Sequence, residues 1–407
     1  MNSKGKMNLD KIRADTPCIN IYMDNSSASI PPRPVIEAIE SYFRAVVKHG
    51  TKSTYIREHF DALFLNDARK PIAKLIGASP DEIAFTINGS DAISIIANGI
   101  NFKRGDNVVL SELRFICNTV PWLRLRDTHG IEIKIAKANK PGFIDLDHLR
   151  LQINDHTKVV AIEHMIPSLG TIQPIKQIAQ IAHEKGSLFF LDACNTVGLV
   201  NIDVNDIDCD FMAAAGRKYL RGPMGTGFLY VKKNHICDLQ PSYIGWKTGT
   251  GDWSTDTYKY AESIDRFASG EPNYPGIVGL VRAVEYLDEI GGITQVEQRV
   301  SELTDYLLES LASVPGVEVY GPKTAKGRAG LVVFSLRNVP SAQLSQYLNK
   351  NGAVVQLFTP YVCPGPLKMF GIDAVVRITL HYFNTKEEID RVIDLLTQIS
   401  QKKINKE

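Results

Sequence analysis

The sequence lacks the features that identify several classes of protein. Its six cysteines are scattered over 407 residues without a Cys-x-x-Cys pair, and its nine histidines do not cluster. We therefore expect neither a disulfide framework nor a metal site. No apolar run approaches the ~20 residues of a membrane span. Residues 1–17 carry scattered charges and no apolar core, which argues against a secretory signal and favours a cytoplasmic protein.

Neither positive nor negative charge is in excess. Forty-six Lys and Arg residues are balanced by 45 Asp and Glu residues, so the net charge is only +1. A nucleic-acid-binding surface needs a basic excess, and the balance therefore argues against one. What the chain does have is a hydrophobic content of 44%, enough to bury large cores. These properties together indicate a globular protein, and we expect an enzyme.

The chain is long enough for two or three domains, and its pattern divides it into three parts. Between about residues 82 and 231, short β-branched or aromatic runs alternate with helical periodicity, as is typical of βαβ units around a parallel sheet. Beyond residue 315, short strands and two helices indicate a smaller α+β domain. We predict an α/β protein with an N-terminal arm packing on the small domain (residues 1–44), a large domain (45–275), and a connecting helix with the small domain (276–407).

Two residues, one at the end of a predicted strand and one before a predicted strand, suggest cofactor chemistry. Asp192 ends the apolar run 187–191, which places its carboxylate at the carboxyl edge of a parallel sheet, although it could equally cap a turn. Lys218 follows 26 residues later, between small residues and a glycine-rich turn. An exposed lysine is the plainer interpretation, but glycines let a ligand approach closely, and a pocket lysine can form a Schiff base. Pyridoxal phosphate needs this combination of carboxylate and amine.

Two further segments suit the same cofactor and an amino-acid substrate. Gly89 and Ser90 form a turn between a strand and a helix, where free N–H groups and the helix dipole favour a phosphate. Arg377 lies in an apolar strand and needs an anionic partner. That partner could be a substrate carboxylate or a structural carboxylate in a salt bridge.

Together these motifs resemble the class V aminotransferase, or cysteine desulfurase-like, family of fold type I pyridoxal-phosphate enzymes. The resemblance extends from Ile21 to Val392. Two motifs, which begin at Gly216 and Val376, are most similar to those of hercynylcysteine sulfoxide lyase-type members. The matching segments are residues 85–92, 110–112, 118–122, 192–195, 216–218, 266–273 and 374–385.

The resemblance implies a large domain with a mainly parallel sheet, a small C-terminal domain, and a homodimer whose active sites lie at the subunit interface. It also implies that pyridoxal 5'-phosphate is the cofactor and that a small amino acid is the substrate. By this resemblance Lys218 forms the Schiff base and Asp192 contacts the ring nitrogen. The other implied contacts are Gly89, Ser90 and Arg217 with the phosphate, Asn195 with the ring hydroxyl, Phe115 with the ring, and Arg377 and Asn25 with the substrate.

Three positions depart from the desulfurase pattern. Phe115 stands where desulfurases carry a histidine; it can stack on a ring but cannot transfer a proton. Pro167 replaces an asparagine. Cys363 falls close to the position of the persulfide-forming cysteine, and its neighbouring prolines and glycine predict an exposed but stiff loop. Cys363 could be a nucleophile or only a small loop residue.

From this pattern we predict cleavage of a C–S bond in a cysteine-derived amino acid by β-elimination, with Lys218 as the base. Transamination, epimerisation and cysteine desulfuration are the alternatives. Transamination and epimerisation share with elimination the carbanion formed at the α-carbon, and desulfuration is the reaction of other members of the same family. An alternative from a different functional class is a protein of this family that binds the cofactor but does not catalyse a reaction.

Overall fold

The computed structural model describes residues 7–61 and 67–404. The first six residues of the predicted N-terminal arm, residues 62–66 of the predicted large domain and residues 405–407 of the predicted small domain lie outside the described residues. In the described part of the chain, a seven-stranded sheet forms the centre of the large domain. Its strands, in spatial order, are Ile83–Thr86, Gly227–Val231, Phe211–Ala215, Leu188–Asp192, Thr157–Glu163, Asn107–Ser111 and Glu132–Ala136.

The sheet is parallel except at Gly227–Val231, which runs antiparallel to both of its neighbours. Strands covered on both faces are expected to be apolar throughout, and every residue of Phe211–Ala215 is buried. Helices supply that cover. One hydrophobic core lies between the sheet and helices Gly89–Gly99 and Val120–His129. A second core lies on the other face, beneath helices Arg69–Ile76, Leu146–Gln152, Ile175–Glu184 and Val204–Ile207.

The small domain is built on a four-stranded antiparallel sheet. The strands, in spatial order, are Val317–Tyr320, Leu331–Leu336, Val375–Thr379 and Gln356–Phe358. Helices Ile293–Ala312, Ser341–Lys350 and Lys386–Ile404 pack on this sheet. The predicted fold class is confirmed: an α/β domain with a mainly parallel sheet is joined to a smaller α+β domain.

The N-terminal segment contacts both parts of the molecule. Its strand Ile21–Tyr22 pairs in parallel with Ala353–Val354 of the small domain. The following helix, Arg33–His49, packs on the connecting helix Tyr274–Glu289. Residue 44, the predicted end of the arm, therefore lies inside a helix. The three-part division of the chain stays a prediction.

The remaining elements are short. Helices Leu9–Ala14, Thr54–Ile56, Arg57–Asp61, Pro80–Glu82, Ile116–Asn118, Lys233–His235 and Ile264–Phe267 connect larger elements, and Gly249–Asp252 pairs with Thr257–Tyr260 as an exposed hairpin. Pro364–Phe370 is also a helix with Cys363 as its N-cap, so the loop predicted around Cys363 ends at that residue and is wrong for the prolines and glycine that follow. Pro364 occupies the first helical turn, where its missing N–H costs no hydrogen bond. Within residues 7–61 and 67–404, no helix combines the length and apolar character that a membrane crossing requires.

Candidate active site

A cavity of about 640 Å³ opens where the central strands of the large sheet end. Eight of the ten predicted site residues line it: Gly89, Ser90, Phe115, Asp192, Asn195, Arg217, Lys218 and Arg377. Asn25 and Cys363 are not in the lining. A larger cavity of about 710 Å³ lies on the other side of the Gly89 turn and contains none of the ten. The smaller cavity is therefore the candidate active site.

The turn at Gly89 presents backbone donors to this cavity. Asn88 caps the helix Gly89–Gly99, and its Oδ1 accepts a hydrogen bond from Asp91 N at 2.9 Å. The N–H groups of Gly89 and Ser90 belong to the first helical turn, where no intrahelical acceptor is available. A Cβ atom at Gly89 would lie only 2.1 Å from Cys194 Sγ. Glycine is therefore required for this turn to lie against Cys194.

Asp192 and Asn195 occupy the segment that follows the strand Leu188–Asp192. Asp192 Oδ1 accepts a hydrogen bond from Cys194 N at 3.0 Å, which fixes the carboxylate at the cavity wall. Asn195 Oδ1 accepts a hydrogen bond from Ser26 Oγ at 2.8 Å. Since the oxygen of this amide is engaged, its nitrogen is the group that can donate to a ligand.

Lys218 lies just beyond the strand Phe211–Ala215 and is 9% exposed. Burial lowers the pKa of its amine, and the nearby Asp192 carboxylate partly opposes this shift. The turn that holds Lys218 is closed by a hydrogen bond of 2.9 Å from Arg221 N to Lys218 O. Prediction from the sequence missed the role of Arg221. Its buried guanidinium donates to Ile30 O, Tyr382 Oη and Thr16 Oγ1 at 2.6–2.8 Å, tying the turn to the N-terminal segment and the small domain.

Arg377 reaches the cavity from the small-domain strand Val375–Thr379. Its Nη2 donates to Ser27 Oγ at 2.7 Å and to Asp24 Oδ1 at 3.1 Å, and its Nη1 donates to Pro167 O at 3.1 Å. Its Nε is buried and has no hydrogen-bond partner among the described residues. Arg377 thus forms the structural salt bridge that was one of the two alternatives, and its side chain also lines the cavity.

Asn25 lies away from the cavity although the resemblance implies a substrate contact. Its side chain is fully buried, its Nδ2 donates to Thr379 O at 2.7 Å, and its Oδ1 accepts from Ser29 Oγ at 2.7 Å. Both ends of the amide are engaged with the protein. We therefore leave Asn25 out of the proposed substrate contacts and place its neighbours Asp24 and Ser27 beside Arg377 instead.

Cys363 is fully buried, so the exposure expected for it is wrong. Its thiol donates to Leu113 O at 3.2 Å or to Arg114 O at 3.3 Å, and it accepts a hydrogen bond from Ser168 Oγ at 3.2 Å. Burial is the main reason that the pKa of this thiol is raised to about 12. Two other cysteines, Cys117 and Cys194, line the cavity. Cys194 lies within the matching segment 192–195, but neither cysteine was among the predicted site residues.

The cavity contains the groups that pyridoxal phosphate requires. This cofactor carries a phosphate, a ring nitrogen that must remain protonated, and an aldehyde. Backbone donors at a helix N-terminus suit the phosphate, the carboxylate of Asp192 suits a protonated nitrogen, and the amine of Lys218 suits an aldehyde. The donor set therefore fits the cofactor.

Comparison with known proteins agrees with this fit. The family model for class V aminotransferases matches residues 21–392. A probable cysteine desulfurase from Methanothermobacter thermautotrophicus is 32% identical, covering 97% of this chain and 98% of the relative. A cysteine desulfurase from Salmonella agona is 31% identical, covering 96% and 98%. The apo structure of a cysteine desulfurase from Thermococcus onnurineus superposes with a TM-score of 0.88 at 28% identity, covering 99% and 100% of the two chains.

The fold, the cavity and the comparisons lead to one assignment. The predicted family is confirmed by a match over residues 21–392, and the predicted cofactor, pyridoxal 5'-phosphate, is confirmed with it. The chain belongs to the class V aminotransferase family and is a pyridoxal-phosphate-dependent enzyme of fold type I.

Proposed function

We propose that this enzyme cleaves the C–S bond of a cysteine-derived amino acid by β-elimination. The observation that carries the proposal is the content of the cavity. It brings together an amine, a carboxylate and an arginine at Lys218, Asp192 and Arg377, while the thiol of Cys363 is buried outside it. Elimination needs a base, an electron-withdrawing cofactor and a substrate anchor, but no protein thiol.

Each part of the cofactor has a proposed partner. Gly89 and Ser90 would donate backbone N–H groups to the phosphate, and Arg217 would add a positive charge. Asp192 would accept a hydrogen bond from the ring nitrogen, and Asn195 would donate one to the ring hydroxyl. Phe115 would contact the ring face. When bound, pyridoxal phosphate would supply an electron-withdrawing group for the α-carbon of the substrate.

Lys218 is the proposed base. Burial lowers the pKa of its amine, so a larger fraction is unprotonated and able to take the α-proton. As that proton moves to Lys218 Nζ, the electron pair of the Cα–H bond forms the Cα–Cβ double bond, and the pair of the Cβ–S bond leaves with sulfur. The guanidinium of Arg377, which lines the cavity, would bind the α-carboxylate and orient the Cα–H bond toward Lys218.

Cysteine desulfuration is the second candidate, and it is supported by the names of the relatives that are 31–32% identical. Desulfuration requires a thiolate that attacks the substrate sulfur. For Cys363 to serve, it must lose its hydrogen bonds to Leu113, Arg114 and Ser168 and then ionise despite a pKa raised to about 12 by burial. Phe115 provides no acid or base to assist. The geometry of these residues therefore disfavours desulfuration through Cys363.

We also propose that the enzyme is a homodimer. Large apolar side chains remain exposed around the 710 Å³ cavity, as expected for a surface that a second copy covers. They are Ile87, Met224, Tyr243, Ile244 and Trp246. Sedimentation analysis should give twice the 45.2 kDa chain mass, and a monomer at micromolar concentration would contradict the proposal.

Product analysis distinguishes the two reactions. The holoenzyme is incubated with cystine, with S-substituted cysteine sulfoxides and with cysteine, and the carbon product is identified. Elimination yields pyruvate and ammonia in equal amounts, whereas desulfuration yields alanine and leaves a persulfide on a cysteine, which peptide mapping would place at Cys363 or Cys117. Lys218→Ala is the control and should form neither product. Alanine as the main product would overturn the proposal, and an oxo acid formed only with an amino acceptor would indicate transamination.

A further inference from the structure

A second carboxyl group lies beside Asp192, and the proposed mechanism does not use it. Glu163 ends the strand Thr157–Glu163, which pairs in parallel with Leu188–Asp192, and the register places Glu163 directly opposite Asp192. Paired residues on adjacent parallel strands point to the same face, with the strands about 4.8 Å apart. The two carboxyl groups are therefore neighbours at the edge of the sheet that forms the cavity.

The surroundings of the two carboxyl groups differ. Asp192 lines the cavity, whereas Glu163 is 2% exposed and lies behind the lining. Glu163 Oε1 accepts a hydrogen bond of 2.6 Å from Phe115 N, and the side-chain amide of Asn118 also lies beside the carboxyl group. The carboxyl group of Glu163 thus holds the backbone of Phe115, the residue proposed to contact the cofactor ring.

No described cation neutralises Glu163. The titratable groups that face it are Asp192 from the adjacent strand and Cys363 from the segment before helix Pro364–Phe370. In the turn that contains Phe115, the guanidinium of Arg114 donates to Ser111 O at 3.2 Å. The amine of Lys218 lies near Asp192, whereas no described cation acts on Glu163, so Glu163 is the carboxyl group that keeps its proton when Asp192 is charged. Burial, and then the charge of Asp192, raises the pKa of Glu163 to about 8 against the opposing hydrogen bonds of Phe115 N–H and the Asn118 amide, in agreement with this assignment.

We propose that Glu163 is a positioning residue of this active site, a neutral carboxylic acid that holds Phe115 and whose loss of a proton sets the alkaline limit of activity. Deprotonation places a second negative charge beside Asp192. That charge opposes the negative charge that develops when the substrate loses its α-proton, so turnover falls. The kinetic part of this inference rests on the proposed function, while the protonation of Glu163 does not.

Glu163→Gln is the decisive variant, because glutamine keeps an oxygen acceptor for Phe115 N–H but cannot ionise. Proteins labelled with 13C at the glutamate carboxyl carbon are titrated by NMR between about pH 5 and 10, without and with cofactor. We expect one resonance to titrate well above the ordinary glutamate pKa of about 4.3 and to be missing from E163Q. In the holoenzyme, the alkaline limb of the kcat profile should move up by about one pH unit or more in E163Q, with unchanged cofactor content.

Glu112→Gln is the matched control. Glu112 lies close to the same turn, but it is only partly buried and its Oε2 accepts a hydrogen bond from Ala138 N at 3.1 Å. E112Q should keep both the high-titrating resonance and the wild-type alkaline limb. If E163Q fails to fold, the wild-type titration and Asp192→Asn remain, and removal of the neighbouring charge should shift the high-titrating resonance to lower pH.

Two results would overturn the inference. One is the absence of any glutamate that titrates above about pH 7. The other is an alkaline limb that is the same in E163Q and the wild type. A high-titrating Glu163 in an enzyme that releases no sulfur product from any substrate would instead count against the proposed function alone.

Discussion

Replacing Gly89 by alanine perturbs the backbone turn at which we place the cofactor phosphate. The new Cβ would lie 2.1 Å from Cys194 Sγ but 3.6 Å from Cys194 Cβ, so only the sulfur clashes. Because Cys194 is buried, relief requires movement of the turn, and overpacking of this kind costs about 1–3 kcal/mol. We expect the free energy of unfolding to fall by that amount. We also expect the Kd for pyridoxal phosphate to rise about tenfold, since 1.4 kcal/mol corresponds to a factor of ten.

The assay is a titration of apoenzyme with pyridoxal phosphate, followed by absorbance, together with denaturant unfolding of the same samples. Cys194→Ala provides the internal test because it removes the sulfur and leaves the Cβ at an ordinary contact distance. The Kd of the double variant should return to within about threefold of the wild-type value, because the two substitutions are at residues in contact and the second relieves the clash made by the first. Unchanged cofactor binding in G89A, or a double variant no better than G89A, would refute the reasoning.

The remaining predictions concern the substrate anchor, the buried thiol and a charge cluster away from the cavity. Arg377→Lys replaces the planar guanidinium by a single ammonium group and should raise KM for the amino acid about 10- to 100-fold. This increase corresponds to the loss of one charge-assisted hydrogen bond of about 1.5–3 kcal/mol, and the cofactor absorbance should not change. Cys363→Ala should keep turnover within about tenfold, roughly 1.4 kcal/mol of barrier; a loss of several orders of magnitude would favour desulfuration. Although burial opposes the shift, hydrogen bonds from His183 and His235 lower the pKa of Asp210, and the bond to Asp210 raises the pKa of His183. Asp210→Asn should therefore lower the free energy of unfolding by about 1–3 kcal/mol near pH 6. In denaturant unfolding at several pH values, that difference should shrink as pH rises through the raised pKa of His183 and as pH falls toward the lowered pKa of Asp210; a constant difference would contradict the pairing.

Features that depend on local geometry could be predicted from the sequence. Asp192 ends an apolar strand and Gly89 begins a helix after another strand, and such ends meet at one edge of a parallel sheet. Lys218 follows a third strand, so its approach to the same edge could also be expected. For this reason most of the cofactor cavity was predictable before its geometry was known.

Features that depend on contacts between distant segments were not predictable. Pro364 and Gly365 suggested an exposed loop at Cys363. The thiol is instead buried against the segment of Leu113 and Arg114, about 250 residues away in the chain, whose carbonyl groups accept its hydrogen bond. Similarly, the sequence around Asn25 does not show that Thr379, 354 residues later, engages its amide. Such pairs have no local signal, because packing of the two domains brings them together.

The placement of the cofactor on Lys218 is the central claim of this account, and reduction with borohydride tests it most directly. The holoenzyme is reduced, digested and mapped by mass spectrometry, with Lys218→Ala treated in parallel. We predict a pyridoxyl adduct on Lys218 in the wild type and no adduct at the corresponding peptide of the variant. An adduct on another lysine, with Lys218 unmodified, would contradict the site, and with it the base and the geometry on which the proposed C–S cleavage depends.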